Sequence, residues 1–559
     1  MPPDGGSRPL PRGCGGALGG RSERPRLLVS SGSESPHRPR GVPVAAADHP
    51  PSGPAATTTT APPGKGLQPG ALGLWGNTVI GLGATAPAYS LAATLGYVVL
   101  AVHDKAPAMF LVAFAPMLLV ALAYRELNRA APDCGTTFTW GTKAFGPWVG
   151  WMGGWGVAVS AIIVLANVAE ISAVYTLRFL GLDAAADHLV LRTALGLVFI
   201  VGMTWISYRG ITISEKLQNV FIVVQLAVLG IVALGALYLV YSGGAGDQAV
   251  RPQWDWFSPF GVSGSALAEA VILCIFIYWG WDACLAVSEE TKDADRTPGR
   301  AALLATVILL VTYVLVAVAV QAYAGFGTTG IGLANEENAD DVLTLLGEPV
   351  GGAVVSGALL ITVAISAASS TQTTILPTAR GTLSMAVYGA LPQRFAKVHP
   401  RFRTPSFGTL VMGAAAVVFY VVLSLVSQNA LQDSIASLGL AVAFYYGITA
   451  FACVWYFRRT LNRSARDFLL RGLLPALGGL AMLWAFAQSC VDMLDPEYGY
   501  TAFGSWGGVF VIGVGMLALG VPLMLLCAVR LRPFFQGRTL DASTPILVPE
   551  TGEPPIGGL

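Results

Sequence analysis

An aspartate interrupts one of the most apolar stretches of this chain, the segment IFIYWGWD at residues 275–282. A charge inside such a segment is costly, and a glycine in a helix interior, such as Gly280, costs about 1 kcal/mol relative to alanine. Three roles would explain Asp282: it caps a helix that begins after a break at Gly280, it faces a cavity and holds a cationic group, or it carries a proton. Each role puts a binding site at this segment.

The segment GLGATAP at residues 81–87 is a second interruption of an apolar run. Pro87 lacks a backbone N–H and clashes with the preceding turn, and Gly81 and Gly83 loosen the same stretch. The two interruptions predict two broken helices, because unwound backbone at membrane depth is tolerated where it lines a cavity or is buried in protein. The alternative is a kink with a close helix crossing, since Gly and Pro are common in membrane helices.

Two broken helices would offer backbone groups that can bind an α-amino acid. The first break would free amides around Gly83, Ala84 and Thr85, and these amides, with the positive end of the following half-helix, favour a carboxylate. The second break would free carbonyls near Phe276 and Ile277, which can accept from an ammonium group. Such a site binds both charges of the substrate without a charged side chain.

The composition indicates which elements position these residues. Of the 559 residues, 54% are hydrophobic and 12% are charged, whereas a soluble protein carries about a quarter charged residues. Twelve apolar runs are long enough for bilayer-crossing helices, which need about 20 residues each. With both termini cytoplasmic, only four of the 33 Lys and Arg residues fall outside, namely Lys105, Arg178, Arg192 and Arg251. The sequence therefore predicts an all-α integral membrane protein with twelve transmembrane helices.

The sequence lacks the motifs of the common enzyme classes. None of its five histidines lies in an apolar run, and the zinc-protease, phosphate-loop and serine-hydrolase motifs are absent. The seven cysteines are scattered without metal-ligand spacing. We therefore expect no enzyme activity, no catalytic residue, no metal and no cofactor. The expected partners are a small-molecule substrate, a coupling ion and the lipid bilayer, with neither nucleic acid nor a protein partner.

Composition also divides the chain into three parts. Residues 1–68 are rich in Pro, Gly, Ser and Arg and cannot bury a core, so they are predicted to be a disordered cytoplasmic tail. Residues 69–530 contain all the long apolar runs and form the predicted membrane domain. Residues 531–559 are predicted to be a cytoplasmic C-terminal tail.

Four stretches resemble the amino acid–polyamine–organocation superfamily of permeases. They are IGLGATAP at 80–87, YRELNRAAPDCGTTFTWGTKAFGPWVGWMGGW at 124–155, FIYWGWDACLAVSEETKDADRTPGRA at 276–301 and GALPQRFAKVHPRFRTPSFG at 389–408. The third is most similar to the large neutral amino acid transporters. The resemblance spans about residues 70–530 and makes the predicted membrane domain a transporter domain.

This resemblance implies a LeuT-like fold, with two inverted repeats of five helices, broken helices 1 and 6, and two extra helices at the end. It makes Phe276 an aromatic gate over the substrate, and it places Trp279 where the neutral amino acid branch has a small residue, which would shrink the pocket. Proton-coupled members often carry a lysine midway along helix 5, where this chain has Gln225. Ser369 and Ser370 in helix 8 either coordinate sodium against helix 1 or pack closely.

The predicted substrate-binding residues are Gly81, Gly83, Ala84, Thr85, Phe276, Ile277, Trp279, Gly280 and Asp282. The predicted residues for coupling to a proton or sodium ion are Asp282, Gln225, Ser369 and Ser370. We expect a secondary active transporter that moves amino acids, in particular small neutral ones, across the plasma membrane by alternating access. A permease for polyamines or another organic amine is the alternative, favoured by Asp282 and Glu170. A membrane sensor that binds a nutrient without transporting it is the alternative from another class.

Overall fold

The computed structural model describes residues 64–339, 341–426 and 428–547 of the chain. This part is mostly helical, and its one short antiparallel hairpin joins β1 (Ala502–Phe503) to β2 (Trp506–Gly507). In chain order the α-helices are α1 Leu74–Thr85, α2 Pro87–Val102, α3 Ala106–Ala130, α4 Thr137–Phe145, α5 Pro147–Phe179, α6 Asp183–Asp187, α7 Leu189–Arg209, α8 Ile211–Ser242, α9 Gly264–Ile277, α10 Ala283–Ala286, α11 Thr297–Ala324, α12 Gly347–Val387, α13 Ser406–Val426, α14 Gln428–Phe457, α15 Ala465–Asp467, α16 Leu474–Asp492, α17 Gly508–Ala518, α18 Gly520–Arg530 and α19 Arg532–Phe535.

Ten helical segments of the described residues are long and apolar enough to cross a membrane. The first, Leu74–Ala130, has 57 residues and contains α1, α2 and α3, which cover two of the predicted spans. At the sixth predicted span, near residues 264–287, the apolar helix is shorter, Gly264–Ile275. The predicted all-helical membrane fold is therefore confirmed, while the number of twelve spans stays a prediction.

The first predicted break separates α1 from α2 at Ala86. Ala86 adopts a left-handed conformation with φ +46°, and its N–H donates back to the carbonyl of Gly83 at 3.3 Å. Pro87 follows as the first residue of α2, because its fixed φ suits a helix start and its missing N–H prevents continuation of α1. The break in helix 1 is confirmed, but it lies after Gly83, Ala84 and Thr85. These residues form the last turn of α1 rather than the start of the second half.

The second predicted break lies between α9 and α10. Residues 278–282 leave the helix, and Gly280 adopts φ +114°, a conformation that L side chains rarely adopt. This backbone conformation explains why residue 280 is a glycine. The second half of the broken helix is short, since α10 ends at Ala286 and a 3₁₀ turn, Ser288–Glu290, follows.

The two breaks pack against each other. Gly280 lies against the backbone of Ala84 and Thr85, and Gly81 packs against the thiol of Cys284 in α10. Helices α8, α11 and α12 pack against α1, and α11 and α12 also pack against α10. The unwound backbone of both breaks is therefore buried in protein. This is the condition under which non-helical backbone is tolerated at membrane depth.

Segments at both ends of the described fold contact the membrane domain. Residues 1–63 of the predicted N-terminal tail and residues 548–559 of the predicted C-terminal tail lie outside the described residues. Lys65 is only 6% exposed, and Leu72 forms a parallel bridge with Thr291, just after the second break. Helix α19 and the residues that follow it pack below α4 and α5 through Phe534 and Phe535.

Candidate functional site

A cavity extends from the two helix breaks toward the side of the protein that is predicted to be cytoplasmic, called the inner side below. Among the predicted site residues, Ala84, Trp279, Gly280 and Asp282 line it. The other lining residues come from the α3–α4 connection, α4, α5, α10, α12 and α14. Among the described residues that line the cavity, Asp282 is the one charged side chain.

The carboxylate of Asp282 is held by two adjacent tyrosines of α14. Tyr446 donates its hydroxyl to one carboxylate oxygen at 3.0 Å, and Tyr445 donates to the other at 3.2 Å. Asp282 occupies the position before α10, but its side chain makes no capping hydrogen bond to that helix. The capping role is therefore wrong. The carboxylate faces the cavity, and no Lys or Arg among the described residues forms an ion pair with it.

Aromatic side chains surround this carboxylate. The Trp279 indole N–H donates to the Tyr445 hydroxyl, so that Trp279, Tyr445 and Asp282 form a continuous chain of hydrogen bonds on the cavity wall. Behind it, the ring of Trp281 lies 5.3 Å from that of Tyr446 and 5.2 Å from that of Tyr124, measured between centroids. Sequence reasoning missed both tyrosines of α14. The only signal for them is the pair YY inside an apolar run.

Helix α12 supplies a hydroxyl-rich wall to the cavity. Four threonines line it: Thr373, Thr374, Thr378 and Thr382. Thr373, Thr378 and Thr382 donate to carbonyls of their own helix at 2.8 to 2.9 Å. The Thr374 hydroxyl is buried and has no hydrogen-bond partner within the described part of the chain, so it is available to a bound solute.

The predicted amide pole in helix 1 is not formed by the predicted residues. Gly83 and Ala84 end α1, and their carbonyls accept from Ser369 at 3.5 Å and Ser370 at 3.0 Å. Ala84 therefore reaches the cavity from a helix C-terminus, where the helix dipole is negative and favours a cation. The predicted ammonium pole also differs from the expectation. The carbonyl of Ile277 is already bonded within the protein, because it accepts a hydrogen bond from the buried hydroxyl of Tyr313 at 2.9 Å.

The remaining predicted substrate residues occupy different places. Thr85 is buried and donates to the Leu82 carbonyl at 2.7 Å, within its own helix. Gly81 packs against α10, away from the cavity lining. Phe276 is the penultimate residue of α9, and its side chain lies outside the described part of the structure, so the gate role stays a prediction.

The predicted ion-coupling residues divide into two groups. Ser369 and Ser370 meet the end of α1, and Ser369 also donates to the side-chain oxygen of Gln218 in α8. Gln218 in turn donates to Gln372 at 2.6 Å. Gln225 lies further along α8 and is buried, with no hydrogen-bond partner among the described residues. The glutamine of α8, the predicted helix 5, that joins this junction is therefore Gln218, which the sequence interpretation missed.

A buried charge cluster closes the inner end of the site. The Lys65 ammonium binds Asp133 at 2.6 Å and also binds Glu289. Burial alone would lower the pKa of Lys65, but the neighbouring carboxylates outweigh it and raise the pKa well above its ordinary value. Arg380 pairs with Glu290 through two hydrogen bonds, one of them 2.9 Å long. These contacts connect the segment before α1, the α3–α4 connection, the 3₁₀ turn after α10 and α12.

Asp133, Cys134 and Glu289 place their ligand atoms within 4.8 Å of one another, a spacing that suits a metal ion. The Lys65 ammonium is bonded to all three, at 3.9 Å from the sulfur, and so provides the cation at this place.

Near the outer side, the charge of Glu170 is also compensated, because Glu170 pairs with Arg192 at 2.7 Å and accepts a hydrogen bond from Tyr420.

A family model described as amino acid permease matches residues 71–523. The low-affinity putrescine importer PlaP of Escherichia coli strain K12 is 27% identical over 401 residues, which cover 70% of this chain and 83% of that protein. The branched-chain amino acid permease BcaP of Bacillus subtilis strain 168 is 24% identical over 390 residues, which cover 67% of this chain and 78% of that protein.

Among solved structures, that of MhsT in complex with L-phenylalanine matches with a TM-score of 0.52 and 15% identity, over 73% of this chain and 98% of that one. This similarity confirms the LeuT-type fold that the resemblance to the permease superfamily implies. The named relatives carry different solutes, so the family leaves the substrate class open. The match over residues 71–523 shows that this chain belongs to the amino acid permease family.

Proposed function

We propose that this permease carries a small organic amine across the plasma membrane, and that the ammonium group of the amine binds Asp282. The observation that supports this substrate class is the isolated charge of the site. Asp282 lines the cavity, it accepts hydrogen bonds from two tyrosine hydroxyls, and no described cation compensates it.

A partly buried carboxylate without a cationic partner is energetically unfavourable, and a substrate ammonium would reduce that penalty on binding. Trp279 and Tyr445 add aromatic faces that favour a cation by about 0.5–2 kcal/mol. The negative end of α1 at Ala84 favours the same charge. The free hydroxyl of Thr374 is a partner for a second polar group of the substrate.

Transport would proceed by alternating access around this site, with both termini on the cytoplasmic side, as the distribution of basic residues predicts. The two breaks offer the conformational freedom for that motion, because few regular helix hydrogen bonds join their halves. The relative named as a putrescine importer supports an amine substrate, and the transporter relatives support transport rather than catalysis.

A small neutral amino acid is the second candidate. Trp279 lies on the cavity wall, where its ring would limit the space for a substrate side chain. The relative named as a branched-chain amino acid permease shows that zwitterionic substrates occur in the family. For this substrate, the carboxylate would need donors from the start of α2, where the amide of Tyr89 already donates to Ser366 at 3.3 Å.

Counterflow in reconstituted vesicles tests the proposal. Vesicles are loaded with unlabelled putrescine, alanine or leucine, and entry of the same labelled compound is followed. We expect counterflow of putrescine, with a roughly hundredfold or larger loss of affinity in Asp282→Asn, because loss of a buried charge partner costs about 3–5 kcal/mol. Asp247→Asn, in an exposed loop, is the matched control. Counterflow of alanine but not putrescine would establish the second candidate, and binding without counterflow would establish a sensor.

A further inference from the structure

The C-terminal segment of residues 532–547, called the inner strap below, packs against the inner side of the membrane domain. It begins with α19, and it buries Phe534, Phe535 and Leu540 in one apolar cluster with Phe138 and Met385. The ring of Phe534 lies 5.6 Å from that of Phe138, measured between centroids. The sequence interpretation treated this segment as a plain tail.

Two members of that cluster are also walls of the cavity. Phe138 of α4 and Met385 of α12 line the cavity that contains Asp282, and they also pack against the inner strap. The strap therefore supports the cavity wall at its inner end. A movement that separates α4 from α12 to open the cavity inward must also disturb the packing of Phe534.

Polar contacts fix the second half of the strap. The Lys143 ammonium donates to three backbone carbonyls, those of Asp541 at 3.0 Å, Thr544 at 2.6 Å and Ala542 at 3.4 Å. The Asp541 side chain folds this turn by accepting from the amides of Ser543 and Thr544, each at 2.8 Å. A lysine on α4 thus anchors a turn that lies about 400 residues away in sequence.

The strap is also connected to the buried charge cluster. The Thr539 hydroxyl donates to the carbonyl of Tyr388 at 2.6 Å, and the Tyr388 hydroxyl donates to Asp133 at 2.9 Å. Asp133 binds Lys65, from the segment before α1. Segments near both ends of the chain therefore meet at the inner end of the cavity, through Tyr388 and Asp133.

We propose that the inner strap is a regulatory segment that docks on α4, α5 and α12 and holds the cavity closed toward the inner side, so that its release accelerates inward opening. The docking surface comprises Phe138, Lys143, Trp151, Met385 and Tyr388, and its occupant is residues 532–547 of the same chain. Three buried apolar residues, the Thr539 hydroxyl and the Lys143 ammonium hold the strap, and so small a set of contacts allows it to detach locally while the membrane domain stays folded.

Native Cys134 reports on this opening independently of transport. It lines the cavity, it is buried, and its thiol donates to the Arg380 carbonyl at 3.3 Å, so alkylation requires local opening. The full-length protein in vesicles is treated with N-ethylmaleimide from the inner side, and Cys134 modification is followed by mass spectrometry of its peptide. We expect several-fold faster modification in Leu540→Asp and in Lys143→Gln than in the unmodified chain.

Matched controls are Leu547→Asp, at a side chain that is 43% exposed, and Lys216→Gln, at an exposed position of α8. A synthetic peptide of residues 531–547 added to the Leu540→Asp protein should slow the modification again. Unchanged Cys134 modification in Lys143→Gln, together with no effect of the peptide, would overturn the proposal.

The rate of putrescine counterflow is measured in parallel and should rise in both strap variants. That readout rests on the proposed amine transport, whereas Cys134 modification does not. Faster modification without any putrescine counterflow would support the strap and contradict the proposed substrate.

Discussion

Gly280 and Ala84 are in direct backbone contact where the two broken helices meet. A Cβ atom on Gly280 would lie 2.8 Å from the carbonyl carbon of Ala84 and 3.0 Å from the amide nitrogen of Thr85. Gly280 also has φ +114°. Two independent constraints, the backbone conformation and the lack of space for a Cβ atom, therefore require glycine beside Asp282. The contact also fixes the positions of the breaks in helices 1 and 6 relative to each other.

Gly280→Ala should abolish transport. The added methyl group would clash with backbone that cannot rotate away, and the strained conformation alone costs about 1–3 kcal/mol. We expect no counterflow and a lower Tm in detergent. Gly202→Ala in α7, where a Cβ meets nothing within 4 Å, is the control and should keep activity and gain up to about 1 kcal/mol of stability. Normal transport by Gly280→Ala would show that the breaks need not touch.

Trp279→Ala should widen the range of accepted substrates. Its removal enlarges the cavity beside Asp282 and removes a cation–π contribution of about 0.5–2 kcal/mol. We expect weaker counterflow of putrescine and new counterflow of longer amines such as spermidine. Trp279→Phe, which keeps an aromatic face, should retain most of the putrescine affinity. If the unmodified protein, Trp279→Ala and Trp279→Phe all accept amines of the same lengths, then Trp279 does not limit the pocket.

Lys65→Met should destabilise the protein. The change leaves Asp133 and Glu289 buried without their cation, and loss of one partner of a buried ion pair costs about 3–5 kcal/mol. We expect a marked decrease in Tm, whereas Lys292→Met, at an exposed lysine, should have little effect.

The double variant Lys65→Met with Glu289→Gln should recover part of that loss, because it removes one of the two uncompensated charges. Equal Tm values for the single and double variants would mean that Lys65 acts through packing alone.

Local features of the chain were predictable where one residue type carries the constraint. Gly280 and Pro87 mark the breaks because their backbone properties act within a few residues. The exact position at Ala86 was not predictable, since α1 continues through Gly83 and is held by serines of α12. Helix–helix packing, rather than propensity, decides where a loosened stretch unwinds.

The partners of the site depend on contacts between distant segments. Tyr445 lies 163 residues from Asp282 in sequence, and nothing local distinguishes it from the other tyrosines. Gln218 and Gln225 lie about two turns apart on the same helix, so periodicity could not separate them. Lys65 stands at the end of a Pro- and Gly-rich stretch whose composition hides a buried side chain.

Substrate binding should be independent of sodium. Ser370 donates its hydroxyl proton to the Ala84 carbonyl, and Ser369 is bonded to Gln218 and to the Gly83 carbonyl, so the oxygens at this junction already satisfy one another. Gln218 cannot carry a proton in the physiological range, and Asp282 is the one carboxylate among the described residues that line the cavity. We expect the same putrescine Kd in sodium and potassium buffers at equal ionic strength. Ser370→Ala should lower stability by about 1 kcal/mol without introducing a sodium dependence. Tighter binding in sodium that disappears in Ser370→Ala would instead establish these serines as ligands of a coupling ion.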